Sequence, residues 1–180
     1  MKIENYDTEK KVFIIAEIGN NHEGSYTLAE EMIGKAAEVG ACAVKFQTIV
    51  PEKLVSILQK DRIEQLKRFQ LTYDEFERLS KVAKHENILF LSTPFDIETV
   101  HFLNSIVPAF KISSGDNNFL PLIDVIAQTG KPIIMSAGLM DLPEVKKTVG
   151  FILDIWKENA INQDVAILHC VTSYPTTLEE

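Results

Sequence analysis

Two lysines, Lys45 and Lys111, follow directly on apolar, strand-forming runs, and hydroxyl or carboxylate side chains end the neighbouring runs. Ala41-Cys42-Ala43-Val44 leads into Lys45-Phe46-Gln47-Thr48, and Ala109-Phe110 into Lys111-Ile112-Ser113-Ser114-Gly115-Asp116. Val12-Phe13-Ile14-Ile15-Ala16 ends in Glu17, Ile88-Leu89-Phe90-Leu91 in Ser92-Thr93, Ile133-Ile134-Met135 in Ser136, and Val165-Ala166-Ile167-Leu168 in His169. An ammonium group in an apolar setting is costly without an anion beside it. For either lysine alone the anion could be Glu17 or Asp116, an ordinary ion pair. Two lysines with Thr93, Ser114 and Ser136 at neighbouring strand ends favour a ligand, because ammonium and hydroxyl donors match phosphate and carboxylate oxygens.

Other residues add to that chemistry. The Ser113-Ser114-Gly115-Asp116 turn offers a flexible backbone whose N–H groups can approach an anion. Glu17 and Asp116 are the candidates for proton transfer, a role compatible with pairing to the same lysines. His169 reads as a base, a ligand or a hydrogen-bonding core histidine. Asn20-Asn21-His22-Glu23-Gly24 is either a plain loop of turn formers or a set of donors and acceptors for sugar hydroxyls. No metal site is apparent. His169 and Cys170 are adjacent and face opposite ways in a strand, and no Cys or His pair has zinc-finger or metalloprotease spacing. A P-loop and a dinucleotide glycine fingerprint are also missing from the sequence.

The elements that would position these groups alternate between short apolar strands and amphipathic helices, the pattern of a parallel α/β fold. Ser25 caps a first helix through Leu28, Ala29, Met32, Ile33, Ala36 and Ala37, and Gly40 fits its end. The stretch from Pro51 through Phe69 is charged and loosely periodic, and reads as an irregular insertion, a lid or contact surface. Thr72-Tyr73-Asp74-Glu75 forms a capping box, with Leu71 and Phe76 as its hydrophobic staple. Asp96 caps the next helix. A helix through Leu122, Ile123, Ile126 and Ala127 ends at Thr129-Gly130-Lys131-Pro132, and Asp141-Leu142-Pro143-Glu144 starts the last one.

Polar groups at the carboxyl ends of parallel strands would gather on one face, which carries the active site in a (β/α)8 TIM barrel. The expected fold is that barrel, incomplete here at about six βα units in a single domain covering residues 1–180 and read as its amino-terminal part, because six strands fall two short of closure. An open six-stranded sheet would expose two long edges, which natural proteins avoid. Completion by association is one resolution, and a homo-oligomer is left open.

Composition narrows the function classes. A chain of 180 residues with 46% hydrophobic and 24% charged residues is long enough for one well-buried core and is not of disordered type. Its net charge of −8 argues against nucleic acid as partner, although local lysines can still hold a small anion. Cys42 and Cys170 both fall in apolar runs and read as core residues, not a secreted disulfide framework. The first residues lack the apolar stretch of a signal peptide, and no run approaches the roughly 20 apolar residues of a membrane span. A cytoplasmic protein that does not use a membrane is the expectation.

The segments Ile15-Ala16-Glu17-Ile18-Gly19-Asn20-Asn21-His22-Glu23-Gly24, Ala43-Val44-Lys45-Phe46-Gln47-Thr48, Leu91-Ser92-Thr93-Pro94-Phe95-Asp96, Pro108 through Asp116, Gly130-Lys131-Pro132-Ile133-Ile134 and Leu168-His169-Cys170 together resemble the sialic acid synthase family. That family comprises N-acetylneuraminate synthase and its relatives making legionaminic and pseudaminic acids. The motifs occur in family order over essentially the whole chain. The resemblance implies a TIM barrel that condenses phosphoenolpyruvate with an N-acetylated amino sugar, using a divalent metal, Mn or Mg. It implies that Lys45, Thr93, Lys111, Ser114 and Ser136 hold phosphoenolpyruvate, with Thr172 at a further phosphate contact. Glu17, Gln47, Asp116 and Tyr174 would face the amino sugar or the reacting centre.

The sequence departs from the family at Asp116, often Glu there, and at Thr172, often Asn. The family's metal-binding histidines lie in later Ser-Asp-His and Glu-Arg-His-Phe motifs and its antifreeze-like domain lies further on. None of these occurs in the present sequence, so the chain by itself is expected to be inactive. Two alternatives stand beside this: a non-catalytic anion-binding or assembly module derived from the barrel, and another phosphoenolpyruvate enzyme making octulosonic or heptulosonic acids. The Asn20–Gly24 loop argues against the second.

Overall fold

A computed structural model of the chain describes residues 1–173 and 175–177. A small antiparallel hairpin, β1 (Lys2–Ile3) and β2 (Tyr6–Asp7), comes first. Then follow β3 (Ile15–Gly19), α1 (Tyr26–Glu38), β4 (Ala43–Thr48), α2 (Pro51–Leu54), α3 (Lys60–Lys67), α4 (Tyr73–His85), β5 (Leu89–Pro94), α5 (Ile97–Leu103), β6 (Phe110–Ile112), α6 (Leu120–Gln128), β7 (Ile133–Ser136), α7 (Leu142–Glu158) and β8 (Val165–Leu168). β3-β4-β5 and β6-β7-β8 are two parallel three-stranded sheets, and β5 lies beside β6 where they adjoin. The fold is thus α/β with parallel sheets.

Strand residues alternate between two faces. Val44, Phe46, Phe90, Phe110, Ile112, Ile133 and Met135 turn outward into one core with Ala29 and Ile33 of α1, Phe76 and Leu79 of α4, Leu122 and Ile126 of α6, and Ile152 and Trp156 of α7. The other face bears Ala43, Leu91, Ala109 and Ile134, which meet one another and Ile3 in a second cluster. Residues of both sheets come together there, so the sheets curve toward each other on the helix-free side. The hairpin stops that concave side at the strands' amino ends, where Ile3 is buried and Tyr6 stacks edge-on against Phe13 at 5.3 Å.

Local signals in the sequence account for most helix starts. Ser25 accepts the Leu28 N–H, and Asp96 accepts the Thr99 N–H and hydroxyl. Thr72 with Glu75, and Asp141 with Glu144, form complete capping boxes. Each such box satisfies helix N–H groups that have no partner within the helix.

Several expectations need correcting. The first strand begins at Ile15, not Val12, and Val12 and Ile14 are exposed. Glu17, Lys45 and Lys111 lie within their strands rather than after them, because the ladders continue past them. The segment after Pro51 is not irregular. It holds α2 and α3, and Ile63 and Leu66 are the two side chains α3 buries. It is also anchored at both ends, by Lys53 to Asp96 and Glu98 and by a close approach to the Asn20–Gly24 loop. Cys42 and Cys170 are half-buried rather than core. The hairpin was not foreseen, since strands of two residues carry no periodicity. Among the described residues, no helix is long and apolar enough to cross a membrane.

Candidate anion site at the carboxyl ends of the strands

On the concave face, each apolar residue of the lower cluster is followed two positions later by a polar one. Ala43 leads to Lys45, Leu91 to Thr93, Ala109 to Lys111, and Ile134 to Ser136. A step of two residues keeps the face and advances about 7 Å along the strand. The polar set therefore forms the next rung toward the carboxyl end. Glu17 joins it, paired in register with Lys45, as Gln47 is with Thr93.

Both lysines are buried, Lys45 at 6% and Lys111 at 7% exposure, but their surroundings differ. Lys45 Nζ lies 2.9 Å from Glu17 Oε1 and donates to Thr93 Oγ1 at 3.2 Å. Lys111 Nζ donates to Ser136 Oγ at 2.5 Å and to the Ile112 carbonyl at 2.8 Å, and no carboxylate forms an ion pair with it among the described residues. Burial pushes the Lys111 ammonium down to about 8, and the Lys45 charge adds to the effect, while Cys170 and Glu17 oppose it. Lys45 and Lys111 thus feel each other across the concave face, with Lys111 short of negative charge. A bound anion would supply it.

The second sheet completes the rim. A Cβ on Gly138 would stand 2.6 Å from Ser114 Oγ and 3.1 Å from Thr172 Cγ2, so only glycine lets these two hydroxyl residues close on the end of β7. Gln47 Oε1 accepts from Asn20 Nδ2 at 2.9 Å, which ties the β3–α1 loop to the rim. The same loop buries His22 fully against Phe46 at 5.9 Å. Its Nδ1 accepts the Gly24 N–H at 3.1 Å, so the proton of the neutral ring sits on Nε2, which has no partner among the described residues. Burial depresses protonation of His22, with Glu75 opposing. Gly24 has a φ of +80°, and a side chain there would collide with the Arg68 carbonyl, so the loop is pressed against the segment after α3. His22 is therefore packed beneath the rim.

Of the residues singled out in the sequence, Glu17, Lys45, Gln47, Thr93, Lys111 and Ser136 share this face, and Ser114 and Thr172 flank Gly138 beside it. Asp116 stands apart. Its carboxylate accepts from Ser113 within its own turn, and no lysine pairs with it among the described residues. His169 is exposed, and Tyr174 lies outside the described residues. Asn20, offered by the sequence as a donor or acceptor for sugar hydroxyls, reaches the rim through Gln47, whereas Gly138, which sequence reasoning did not single out, owes its place to contacts across loops that no local pattern signals. The described residues include no group of three or more His, Cys, Asp or Glu placed to hold one metal ion.

Ammonium and hydroxyl groups thus converge beside an open carboxylate at the carboxyl ends of parallel strands, the face on which α/β barrel enzymes build their sites. The NeuB family profile matches residues 32–180, and the chain belongs to that family. The N,N'-diacetyllegionaminic acid synthase of Campylobacter jejuni is 37% identical over 185 residues, covering 95% of this chain and 54% of that protein. The pseudaminic acid synthase of the same species is 36% identical over 194 residues, covering 100% and 55%. The N-acetylneuraminic acid (sialic acid) synthetase of Leptospira borgpetersenii serovar Hardjo-bovis, solved in complex with citrate, superposes with a TM-score of 0.89 at 31% identity, covering 99% of this chain and 61% of that one. The chain spans about half the length of the curated relatives it matches.

Proposed function

We propose that this chain is the phosphoenolpyruvate-binding part of a synthase that joins phosphoenolpyruvate to an N-acetylated amino sugar, forming a nonulosonic acid and releasing phosphate. The observation that carries it is the pair of buried lysines on one rung, of which Lys111 pairs with no carboxylate among the described residues. Lys45, Thr93, Lys111 and Ser136 would grip the phosphate and carboxylate oxygens, with Ser114 and Thr172 closing the second side. In the fold this implies, the six parallel strands are consecutive βα units of an eight-unit barrel.

The reaction forms one C–C bond and exchanges the C–O bond to phosphate for one to a water oxygen. The terminal methylene carbon of phosphoenolpyruvate attacks the sugar's open-chain aldehyde carbon, whose oxygen takes up a proton. Water adds to the resulting cation at the phosphate-bearing carbon and loses a proton, and phosphate then leaves from that carbon. Glu17, half-exposed on the rung and held by Lys45, is placed to exchange one of those protons, with Gln47 and Asn20 beside it toward the sugar. Asp116 would need to leave Ser113 to take part. A divalent Mn or Mg ion would polarise the aldehyde. The described residues do not fit one, so its ligands would come from outside them, and Tyr174 would likewise belong to the sugar side. The barrel would be closed by further chain or by a second copy in a homo-oligomer, in the cytoplasm, where phosphoenolpyruvate is made.

Calorimetry with phosphoenolpyruvate tests the binding step, and phosphate release in the presence of N-acetylmannosamine and Mn tests turnover. The expected result is binding that is lost in Lys111→Ala, with little phosphate released by this chain alone. No binding, or binding indifferent to Lys111, refutes the proposal. A non-catalytic anion-binding module is the second reading, favoured by the lack, among the described residues, of a group placed to hold a metal ion. It predicts binding without phosphate release even when a fragment carrying the rest of the barrel is added.

A further inference from the structure

Asn117 is 3% exposed and follows the Ser113–Asp116 turn, yet its side chain serves the neighbouring strand. Its Nδ2 donates to the Ser136 carbonyl at 3.1 Å and to the Gly138 carbonyl at 2.9 Å. Both amide protons are thereby used, and two carbonyl acceptors leave no room for the flipped amide. The Asn117 carbonyl in turn accepts from Thr148 Oγ1 of α7 at 3.1 Å. Between the two gripped carbonyls lies Ala137, whose N–H continues the ladder to the Leu168 carbonyl at 3.0 Å. The end of β7 is therefore pinned from opposite sides, by β8 and by one asparagine amide.

What is pinned matters for the site. Ser136 presents the hydroxyl that receives the Lys111 ammonium, and Gly138 is the glycine against which Ser114 Oγ rests. We infer that Asn117 is a positioning residue that fixes the Ser136 and Ser114 hydroxyls at one spacing, so that both address the same bound anion. Without the amide, the β6–α6 turn carrying Ser114 and the β7 end carrying Ser136 would lose their direct tie, and two buried carbonyls would lose their donors. This inference rests on the anion-site reading above, which it deepens by assigning the geometry of the rim to a residue that touches no ligand.

The test compares two links of the same chain of contacts. Asn117→Leu keeps the shape and removes both donors, whereas Thr148→Val removes only the contact behind Asn117. Binding of phosphoenolpyruvate is measured by calorimetry and Tm by thermal unfolding for each variant and for the unsubstituted protein. Asn117→Leu is expected to raise Kd at least about tenfold, while Thr148→Val lowers Tm and leaves Kd within about twofold. If Asn117→Leu does not fold, Asn117→Ser, which fits without overpacking, is read in its place with the same expectation. Equal Kd for the Asn117 variant and the unsubstituted protein, with only Tm lowered, overturns the inference. Absence of binding by the unsubstituted protein overturns the anion-site reading instead.

Discussion

The amino and carboxyl ends of the same strands carry opposite chemistry on the same face. At the amino end Ala43, Leu91, Ala109 and Ile134 close on Ile3 with no polar group among them. One rung further, Lys45, Thr93, Lys111 and Ser136 stand in the same columns. The first rung is stabilised by removing apolar surface from water. The second is destabilised by the desolvation of two ammonium groups, of which, among the described residues, only Lys45 has a carboxylate. The lower rung holds the sheets together, and the upper one is kept at an energetic cost that a ligand would offset.

Four experiments can break or sharpen that contrast. The largest effect is expected from Lys111→Met. Loss of a buried, charge-assisted contact should weaken phosphoenolpyruvate binding about a thousandfold, while Tm rises because the desolvated ammonium is gone. A fall in Tm with binding intact would reverse the roles assigned to the two rungs. Ile134→Ala should show the opposite signature, a loss of about 2–5 kcal/mol of stability in denaturant unfolding with Kd changed less than about threefold.

The third effect is on pH. Burial pushes the Lys111 ammonium down to about 8, below its ordinary value, and a bound anion would favour the ammonium and raise it. Affinity should therefore hold below pH 8 and fall about tenfold between pH 7 and pH 9, read by calorimetry at each pH. For the ligand-free protein the sign is inverse. A lysine whose protonation is depressed by folding contributes stability that grows as pH rises through 8 toward its unfolded value. A pH-independent Kd would detach Lys111 from the ligand. The smallest effect is expected from Thr72→Ala. It removes the capping box of α4, remote from either rung, and should cost about 1 kcal/mol with no change in binding.

The strands and most helix starts were legible in the sequence because their causes are local. Apolar runs, a capping serine or aspartate and the two capping boxes each act within a few residues. The lysines and hydroxyls were legible because polar residues interrupt apolar runs at comparable points. What escaped were properties of contact across the chain. β1 and β2 are too short for a period, and Ile3 becomes a core residue only through partners from four strands. Val12 and Ile14 look like strand interior by type, yet both side chains are exposed. α3 was masked by its charge, its Ile63 and Leu66 being the two side chains it buries. At the site, Asp116 read as a partner of the lysines because it follows Lys111 in sequence, whereas the turn folds its carboxylate back onto Ser113. Asn117, its neighbour, carries no local sign of the two carbonyls it holds.

The central claim, that the upper rung is one anion site, is tested most directly by a crystal structure of the chain soaked with phosphoenolpyruvate. The expected density has phosphate or carboxylate oxygens within hydrogen-bond distance of both Lys45 Nζ and Lys111 Nζ, with Ser136 Oγ on the same group. Density for the ligand anywhere else on the protein, with Lys45 and Lys111 left as they stand in the free chain, would contradict it.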